Sequence, residues 1–96
     1  MIEAKEETNR MDRVGEWDQF SAMVREHIIN YTIPQYGNAP DDQVGAWTAN
    51  DCIQSMQRYF NRYGRNARGG TEQERDFLKI AHYACLALFR YRAGAK

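Results

Sequence analysis

One stretch of the sequence has the residue types needed to bind a phosphate group. Between Cys52 and Thr71 it contains four arginines and no acidic residue. A guanidinium is a planar fork of N–H donors that matches phosphate oxygens, and the glycine pair before Thr71 exposes backbone N–H groups at the start of a predicted helix, where the helix dipole favours an anion. A solvated arginine-rich loop is the alternative interpretation. The predicted phosphate site consists of Arg58, Arg62, Arg65, Arg68, Gly69, Gly70 and Thr71.

A second group of ionisable residues follows on the next predicted helix. Asp76, Lys79 and Tyr83 are separated by three and four residues, so they lie on one helix face, with His82 beside them. A carboxylate beside an amine and an imidazole can position a substrate or transfer a proton, which makes Asp76 and Lys79 the candidate catalytic residues. The alternative is an intrahelical ion pair between them, worth about 0.2–0.5 kcal/mol.

Other chemistries lack the motifs that they require. The sequence has no P-loop and no Gly-x-Ser-x-Gly motif. Glu72 and Asp76 are one helical turn apart, but no Glu-x-x-Glu on the preceding helix completes a magnesium site. We therefore predict no metal and no cofactor, and we expect Cys52 and Cys85 to be reduced thiols in the core. Whether the protein is an enzyme stays open.

The elements that carry these residues are predicted to be helices. Within residues 16–31, apolar side chains recur at spacings of three and four and form one stripe of a first helix, which we expect Pro34 and Gly37 to end. Residues 32–45 contain both prolines and two glycines and are predicted to be a structured loop. The candidate partner-binding residues in and just after this loop are Tyr36, Asp41, Asp42 and Trp47.

Two further helices are predicted to form an antiparallel hairpin. Thr48 is the expected N-cap of the second helix, whose apolar stripe runs to Tyr63. Gly64 is expected to end this helix by adopting a left-handed backbone conformation. Thr71 and Glu74 have the spacing of a capping box for a third helix that ends near residue 91. Two adjacent apolar stripes on this helix are typical of a helix that is central in a bundle or buried in an oligomer.

The charges divide between the two halves of a chain whose formal net charge is zero. Residues 1–53 carry ten acidic and four basic side chains, and residues 54–96 carry three acidic and nine basic ones, so the halves differ in sign, at −6 and +6. Opposite charge favours docking of the first helix on the other two. The sequence therefore predicts an all-α fold, a small helical bundle built on a long antiparallel helical hairpin with an N-terminal helix packed across it.

Length and composition complete these expectations. The 96 residues make one domain, 1–96, in which the charged segment 1–13 is flexible or ordered by a partner. A chain this short has a thin core, and we expect a homo-oligomer to supply the missing burial. No apolar run reaches the roughly 20 residues of a membrane span, and no signal peptide is recognisable, so we expect a cytoplasmic protein. Tyr59, Phe60 and Tyr63 fall on an apolar stripe, which disfavours nucleic-acid binding by base stacking.

The order of residues along the hairpin resembles that of a known family. One helix has a basic-Tyr pair, an Arg and a Gly-basic ending, and the next helix begins with an Asp and a Lys. This order is similar to the C-terminal domain of a small bacteriophage family of nucleotide kinase-like proteins, which includes a podovirus nucleoside monophosphate kinase without a P-loop. The matching positions are Arg58, Tyr59, Arg62, Gly64, Arg65, Asp76 and Lys79.

The resemblance implies a phage-type accessory protein of the host cytoplasm that binds a phosphate-bearing nucleotide through its arginines. Lys79 and Asp76 would orient the ligand or assist proton transfer in nucleotide metabolism. A second hypothesis, from a different class, is a non-enzymatic interaction protein that inhibits a host or defence protein, with its divided charges steering association in a salt-dependent way. A purely structural oligomer is the third hypothesis.

Overall fold

The described part of the chain is built from helices. The computed structural model describes residues 12–38, 46–65 and 69–96. Helix α1 spans Arg13–His27, a π-helical turn spans Ile28–Thr32, α2 spans Ile33–Tyr36, α3 spans Ala49–Asn61 and α4 spans Gly70–Arg92. These residues form no strand, and the predicted all-α fold class is confirmed.

Helices α3 and α4 form the predicted antiparallel hairpin and make the most extensive helix–helix contact of the described residues. At one end of the hairpin, the backbone N–H of Ala49 donates to the carbonyl of Ala95 at 2.7 Å. At the other end, the backbone N–H of Gly64 donates to Oε1 of Gln73 at 3.1 Å. Helix α1 packs on α4, as the charge distribution predicted.

The first helix is longer than the sequence pattern indicated. It begins at Arg13, with Oδ1 of Asp12 accepting from the N–H of Gly15 at 2.8 Å. The helical segment also continues past Pro34, which has no N–H to donate. The wider π-helical turn just before Pro34 changes the hydrogen-bonding pattern there, so the segment tolerates the missing donor. Gly37, at φ 96°, ends the helical segment. The predicted loop is therefore wrong for residues 32–36, and residues 39–45 lie outside the described part.

Helix α3 begins as the sequence predicted. The Thr48 hydroxyl accepts from the N–H of Asp51 at 3.1 Å, and the Asp51 carboxylate accepts from the N–H of Thr48 at 2.9 Å. Each bond satisfies a backbone donor that the first helical turn leaves unpaired. Beyond the end of α3, Gly64 has the predicted positive φ, 80°.

The capping residue Thr48 gives a test of the hairpin's local stability. We expect Thr48→Ala to lower the free energy of unfolding by about 1 kcal/mol, since alanine offers no oxygen to the N–H of Asp51. In a domain of this size the loss corresponds to a melting-temperature decrease of roughly 4–8 °C. Thermal denaturation followed by circular dichroism measures it. Thr48→Ser, which keeps the hydroxyl, should remain within about 0.5 kcal/mol of the parent.

Helix α4 begins differently from the prediction. Its N-cap is Gly69, at φ 89°, and no side chain caps the helix, so the predicted capping box of Thr71 and Glu74 is wrong. The chain enters α4 through a backbone conformation that glycine adopts without strain, and this places Thr71 inside the helix. The helix ends at Arg92, close to the predicted end.

The interior of the described residues contains more polar than apolar side chains. Ala49 and Cys52 are the buried apolar residues of this part of the chain, whereas His27, Ser55, Glu72 and Asp76 are the buried polar ones. Both cysteines are free, but Cys85 is exposed, so the prediction of two core thiols is wrong for Cys85. Several residues of the predicted apolar stripes are also exposed, namely Ile53, Phe60, Tyr63, Phe77, Leu88, Phe89 and Tyr91.

Candidate functional site

Arg62, in the middle of the predicted phosphate site, binds carboxylates of this same chain. Its Nε donates to Oδ2 of Asp76 at 2.8 Å, and its Nη2 donates to Oδ1 at 2.6 Å. Oε2 of Glu72 lies 3.7 Å from the same Nη2. The hydrogen bond to Asp76 raises the pKa of the Arg62 guanidinium. This bidentate geometry uses the same fork of donors that would bind a phosphate.

The other described residues of the predicted phosphate site lie on α3, in the turn that follows it and at the start of α4. Arg58 is exposed, with Nη2 3.3 Å from Oγ of Ser55 and its guanidinium carbon 6.0 Å from the ring centre of Tyr59. Arg65 is exposed, and its backbone N–H donates to the carbonyl of Arg62 at 2.9 Å. Arg68 lies outside the described residues. The turn residues Gly69, Gly70 and Thr71 are exposed at the start of α4. Phosphate binding by this group of residues stays a prediction.

A different group of residues lines a small pocket between the end of α1 with its π-helical turn, α3 and α4. We call it the lysine pocket, and its volume is about 50 Å³. Roughly three to four water molecules fit in such a volume, so it can hold one phosphate or carboxylate group but not a whole nucleotide. The lining residues are His27, Tyr31, Thr32, Tyr36, Tyr59, Lys79, His82, Tyr83 and Leu86.

Lys79 contributes the ammonium group of this lining. Its Nζ lies 5.4 Å from the ring centre of Tyr31 and 5.3 Å from that of Tyr59. Cation–π contacts at these distances hold an ammonium group without neutralising its charge. Within the described residues Lys79 forms no salt bridge, so the alternative interpretation, an intrahelical ion pair with Asp76, does not hold.

Stacked aromatic rings form the walls of the lysine pocket. The His27 ring stacks on Tyr31 with centres 4.9 Å apart, and the Tyr83 ring stacks between Tyr59 at 6.1 Å and Trp47 at 5.9 Å. Such offset stacking fixes ring orientation, and the tyrosine hydroxyls add hydrogen-bonding groups to an otherwise apolar wall. The walls therefore combine rigid shape with polar edges.

Two histidines, His27 and His82, line this pocket together with Lys79. Burial, then the nearby charges of Lys79, His82 and Arg75, lower the pKa of His27. Burial alone lowers the pKa of His82. Both shifts mean that the folded protein disfavours a proton on these rings. An anion in the pocket would have the opposite effect, because it stabilises the protonated form.

The lowered histidine pKa values predict how stability depends on pH. In the unfolded chain these rings bind protons with the ordinary pKa of about 6.5, whereas in the folded protein they bind protons less readily. The unfolded state then holds more protons, so the free energy of unfolding should fall as pH decreases below about 6.5. Urea denaturation across this range measures the slope. A double variant, His27→Gln with His82→Gln, should show a flatter dependence, and an equally steep one would contradict this assignment.

The lysine pocket has Lys79 in its lining, and two nearby arginines are paired with carboxylates. Arg75 lies 5.0 Å from the Tyr31 ring centre, and Arg62 lies 5.0 Å from that of Tyr59. The carboxylates of this region, Glu72 and Asp76, bind these two arginines, and no carboxylate is among the lining residues of the described part. The arrangement is suited to binding an anion. Within the described residues, no group of three or more histidine, cysteine, aspartate or glutamate side chains is placed to hold a metal ion.

Two of the four predicted partner-binding residues, Tyr36 and Trp47, lie in the described part of the chain. Tyr36 is 39% exposed and belongs to the lining of the lysine pocket. Trp47 packs on Tyr83, and its carbonyl accepts from Nε of Arg90 at 3.2 Å. Asp41 and Asp42 lie outside the described residues. A partner-binding role for these four residues stays a prediction.

Sequence reasoning did not include the pocket residues that α1 and the π-helical turn contribute. Neither His27 nor Tyr31 was among the predicted site residues. The available signal was their spacing of four, which places the two rings side by side on one helix face. On α4 the spacing correctly placed Lys79 and Tyr83 together, but it also placed Asp76 with them, whereas this carboxylate faces Arg62.

Comparisons with known proteins add no relatives: no family model, no curated protein and no solved structure matches the chain. None of the described helices combines the length and the apolar character that a membrane crossing requires.

Proposed function

We propose that this protein binds a phosphomonoester, such as a nucleoside monophosphate, with the phosphate group in the lysine pocket. The observation that carries the proposal is the composition of the lining, where one lysine and two histidines meet four tyrosines and a threonine without a carboxylate among the described residues. Ammonium, imidazole and hydroxyl groups all donate hydrogen bonds to phosphate oxygens, and those from charged donors are the strongest.

The size of the pocket limits what enters it. About 50 Å³ accommodates the phosphate group, so the rest of the ligand lies outside, at the mouth where Tyr36 is partly exposed. A base or sugar there has an aromatic ring to stack on. The proposal keeps the predicted ligand class but moves its phosphate from the arginine-rich loop to Lys79, because Arg62 already binds Asp76 and Glu72.

The proposed activity is binding, and no reaction is assigned. Asp76, one of the two candidate catalytic residues, is 1% exposed and pairs with Arg62. It is not among the residues that line the lysine pocket. Lys79 enters the proposal as the main phosphate ligand.

Isothermal titration calorimetry tests the proposal with inorganic phosphate, ribose 5-phosphate and nucleoside monophosphates, each at low and physiological salt. We expect phosphate alone to bind weakly and the phosphomonoesters more tightly, because they add contacts at the mouth of the pocket. Tighter binding of nucleoside monophosphates than of ribose 5-phosphate would identify the base as part of the ligand. Absence of heat with every phosphate compound at millimolar concentration would contradict the proposal.

A non-enzymatic interaction protein is the second candidate, and the outward-facing apolar residues favour it. On α1, Val14 is 67% and Trp17 59% exposed, and Met23 is 42% exposed. Apolar side chains exposed this extensively on a small protein are typical of surfaces that bind other proteins. A protein with no affinity for phosphate compounds, but with a partner whose binding is lost in Trp17→Ala, would support this candidate instead.

A further inference from the structure

Helix α4 carries a row of apolar side chains on the side facing away from the lysine pocket. The row has alternating spacings of four and three residues, which is the heptad spacing of a helix–helix seam. Phe77, Leu88 and Tyr91 are 47%, 51% and 59% exposed, Ala84 is exposed and Ala81 is partly buried. We call this row the α4 seam, and it consists of Phe77, Ala81, Ala84, Leu88 and Tyr91.

The α4 seam is separate from both surfaces that α4 already uses. Asp76 faces α3, where it binds Arg62, and Leu86 faces the lysine pocket. With 3.6 residues per turn, Ala84 lies roughly a quarter turn from Asp76 and almost half a turn from Leu86 around the helix axis. A partner on the seam would therefore leave the pocket accessible, so binding at the seam does not require phosphate binding.

We propose that the α4 seam binds the α4 seam of a second copy of this chain, with the two helices antiparallel. The small side chains of Ala81 and Ala84 would meet their counterparts at the two-fold axis and allow the helices to approach closely. Phe77 would then lie against Leu88 of the second copy, and the same contact would repeat on the other side of the axis, as an isologous interface requires.

Charge along α4 specifies the antiparallel direction. Glu74 near the start of the helix and Arg92 at its end are both exposed. In the antiparallel register each Glu74 lies within one helical turn of the second copy's Arg92, whereas in a parallel dimer these two residues lie at opposite ends of the interface. Opposite helix dipoles favour the same direction. The carboxylates of Glu72 and Asp76 already bind Arg75 and Arg62, so Glu74 is the charge that the interface uses.

The surroundings of the seam fit an apolar partner. Beside Phe77, a groove of about 420 Å³ runs between α3 and α4, with Phe60, Tyr63 and Ile80 in its lining. The Tyr63 ring packs on Phe77 with centres 6.0 Å apart, so the apolar surface continues from α4 onto α3. The side chain of Leu88 from the second copy can enter this groove. Self-association would add the apolar burial that the thin interior lacks.

Sedimentation velocity over a concentration series tests the dimer. We expect the parent protein to form a dimer and Leu88→Glu to be a monomer with unchanged far-ultraviolet circular dichroism, since Leu88 is exposed in the single chain. Val14→Glu, which places the same charge at an exposed apolar position on α1, is the matched control and should remain a dimer. A parent protein that is monomeric at every concentration, or a Leu88→Glu variant that still dimerises, would overturn the proposal.

Charge reversal tests the direction of the helices. Glu74→Arg and Arg92→Glu should each weaken the dimer several-fold, because each creates like charges across the antiparallel interface, and the double variant should restore the parent affinity. In a parallel dimer Glu74 and Arg92 lie at opposite ends of the interface, so neither single reversal would create a repulsive pair between them and the affinity would stay unchanged. Unchanged affinity in both single variants would therefore overturn the antiparallel arrangement.

Discussion

Arg62→Ala is expected to destabilise the fold more than the same substitution at Arg58 or Arg65, the other described arginines of the predicted phosphate site. The substitution leaves the Asp76 carboxylate, whose side chain is 2% exposed, without its bidentate partner. Breaking a pair that contains a buried charge costs about 3–5 kcal/mol, and because the Arg62 side chain is itself 43% exposed, we expect a value near the lower end, about 3 kcal/mol. Urea denaturation followed by circular dichroism measures the loss.

Two variants separate the pair itself from the general loss of positive charge. Arg58→Ala removes the same charge from the same helix, where Nη2 makes one contact with the hydroxyl of Ser55, and should cost at most about 0.5 kcal/mol. Asp76→Asn should be less harmful than Arg62→Ala, because the half-exposed guanidinium that it leaves can be solvated. Equal losses in Arg58→Ala and Arg62→Ala would contradict a structural role for the Arg62–Asp76 pair.

The structural role of Arg62 also limits which variants can test phosphate binding by the arginine-rich loop. An Arg62→Ala, Arg65→Ala double variant would lose stability along with any phosphate affinity, so loss of binding would not identify a ligand. Arg58→Met and Arg65→Met are better variants, because both side chains are exposed and neither binds Asp76. Loss of phosphate binding in these two variants would favour the loop over the lysine pocket.

Lys79→Met is expected to have the largest effect on ligand binding. Methionine keeps most of the side-chain length between the Tyr31 and Tyr59 rings but removes the ammonium group of the pocket. Loss of a hydrogen bond between charged groups costs about 1.5–3 kcal/mol, which weakens binding roughly ten- to hundredfold. Calorimetric titration with a phosphomonoester gives the dissociation constants.

The controls for Lys79→Met address charge and folding. Lys79→Arg should recover part of the affinity, because the charge remains while its geometry changes. Arg65→Met removes an exposed charge outside the pocket lining and should change the dissociation constant by less than about twofold. Unchanged affinity in a folded Lys79→Met protein would contradict the placement of phosphate in the lysine pocket.

The parts of the fold that local rules determine were predictable from the sequence. Thr48 caps α3 because its hydroxyl and the Asp51 carboxylate are three residues apart, and Gly64 follows α3 because glycine adopts a positive φ freely. The predicted helix end at Pro34 was wrong because a π-helical turn adapts the helix to the missing N–H. The start of α4 was predicted wrongly because Gly69, and not Thr71, is the N-cap, and its backbone conformation begins the helix without a side-chain cap.

The candidate site depends on contacts between residues far apart in the sequence. Asp76 could pair with Lys79 on its own helix or with Arg62 across the hairpin. Residue spacing predicts contacts within one helix, so it indicates the pair with Lys79 and not the pair with Arg62. Once Arg62 takes the carboxylate, Lys79 is left between two tyrosine rings, one of them from the π-helical turn that follows α1. Which side of each helix packs against its neighbours determines these contacts. The same packing leaves the α4 seam exposed.

Histidine titrations by nuclear magnetic resonance, with and without saturating inorganic phosphate, test the phosphate assignment most directly. Without phosphate, the pKa values of His27 and His82 should both lie below the ordinary value of about 6.5. With phosphate, both pKa values should rise, because an anion beside the rings stabilises their protonated form. Phosphate that binds without changing either pKa would place the site elsewhere and contradict the lysine pocket as the ligand site.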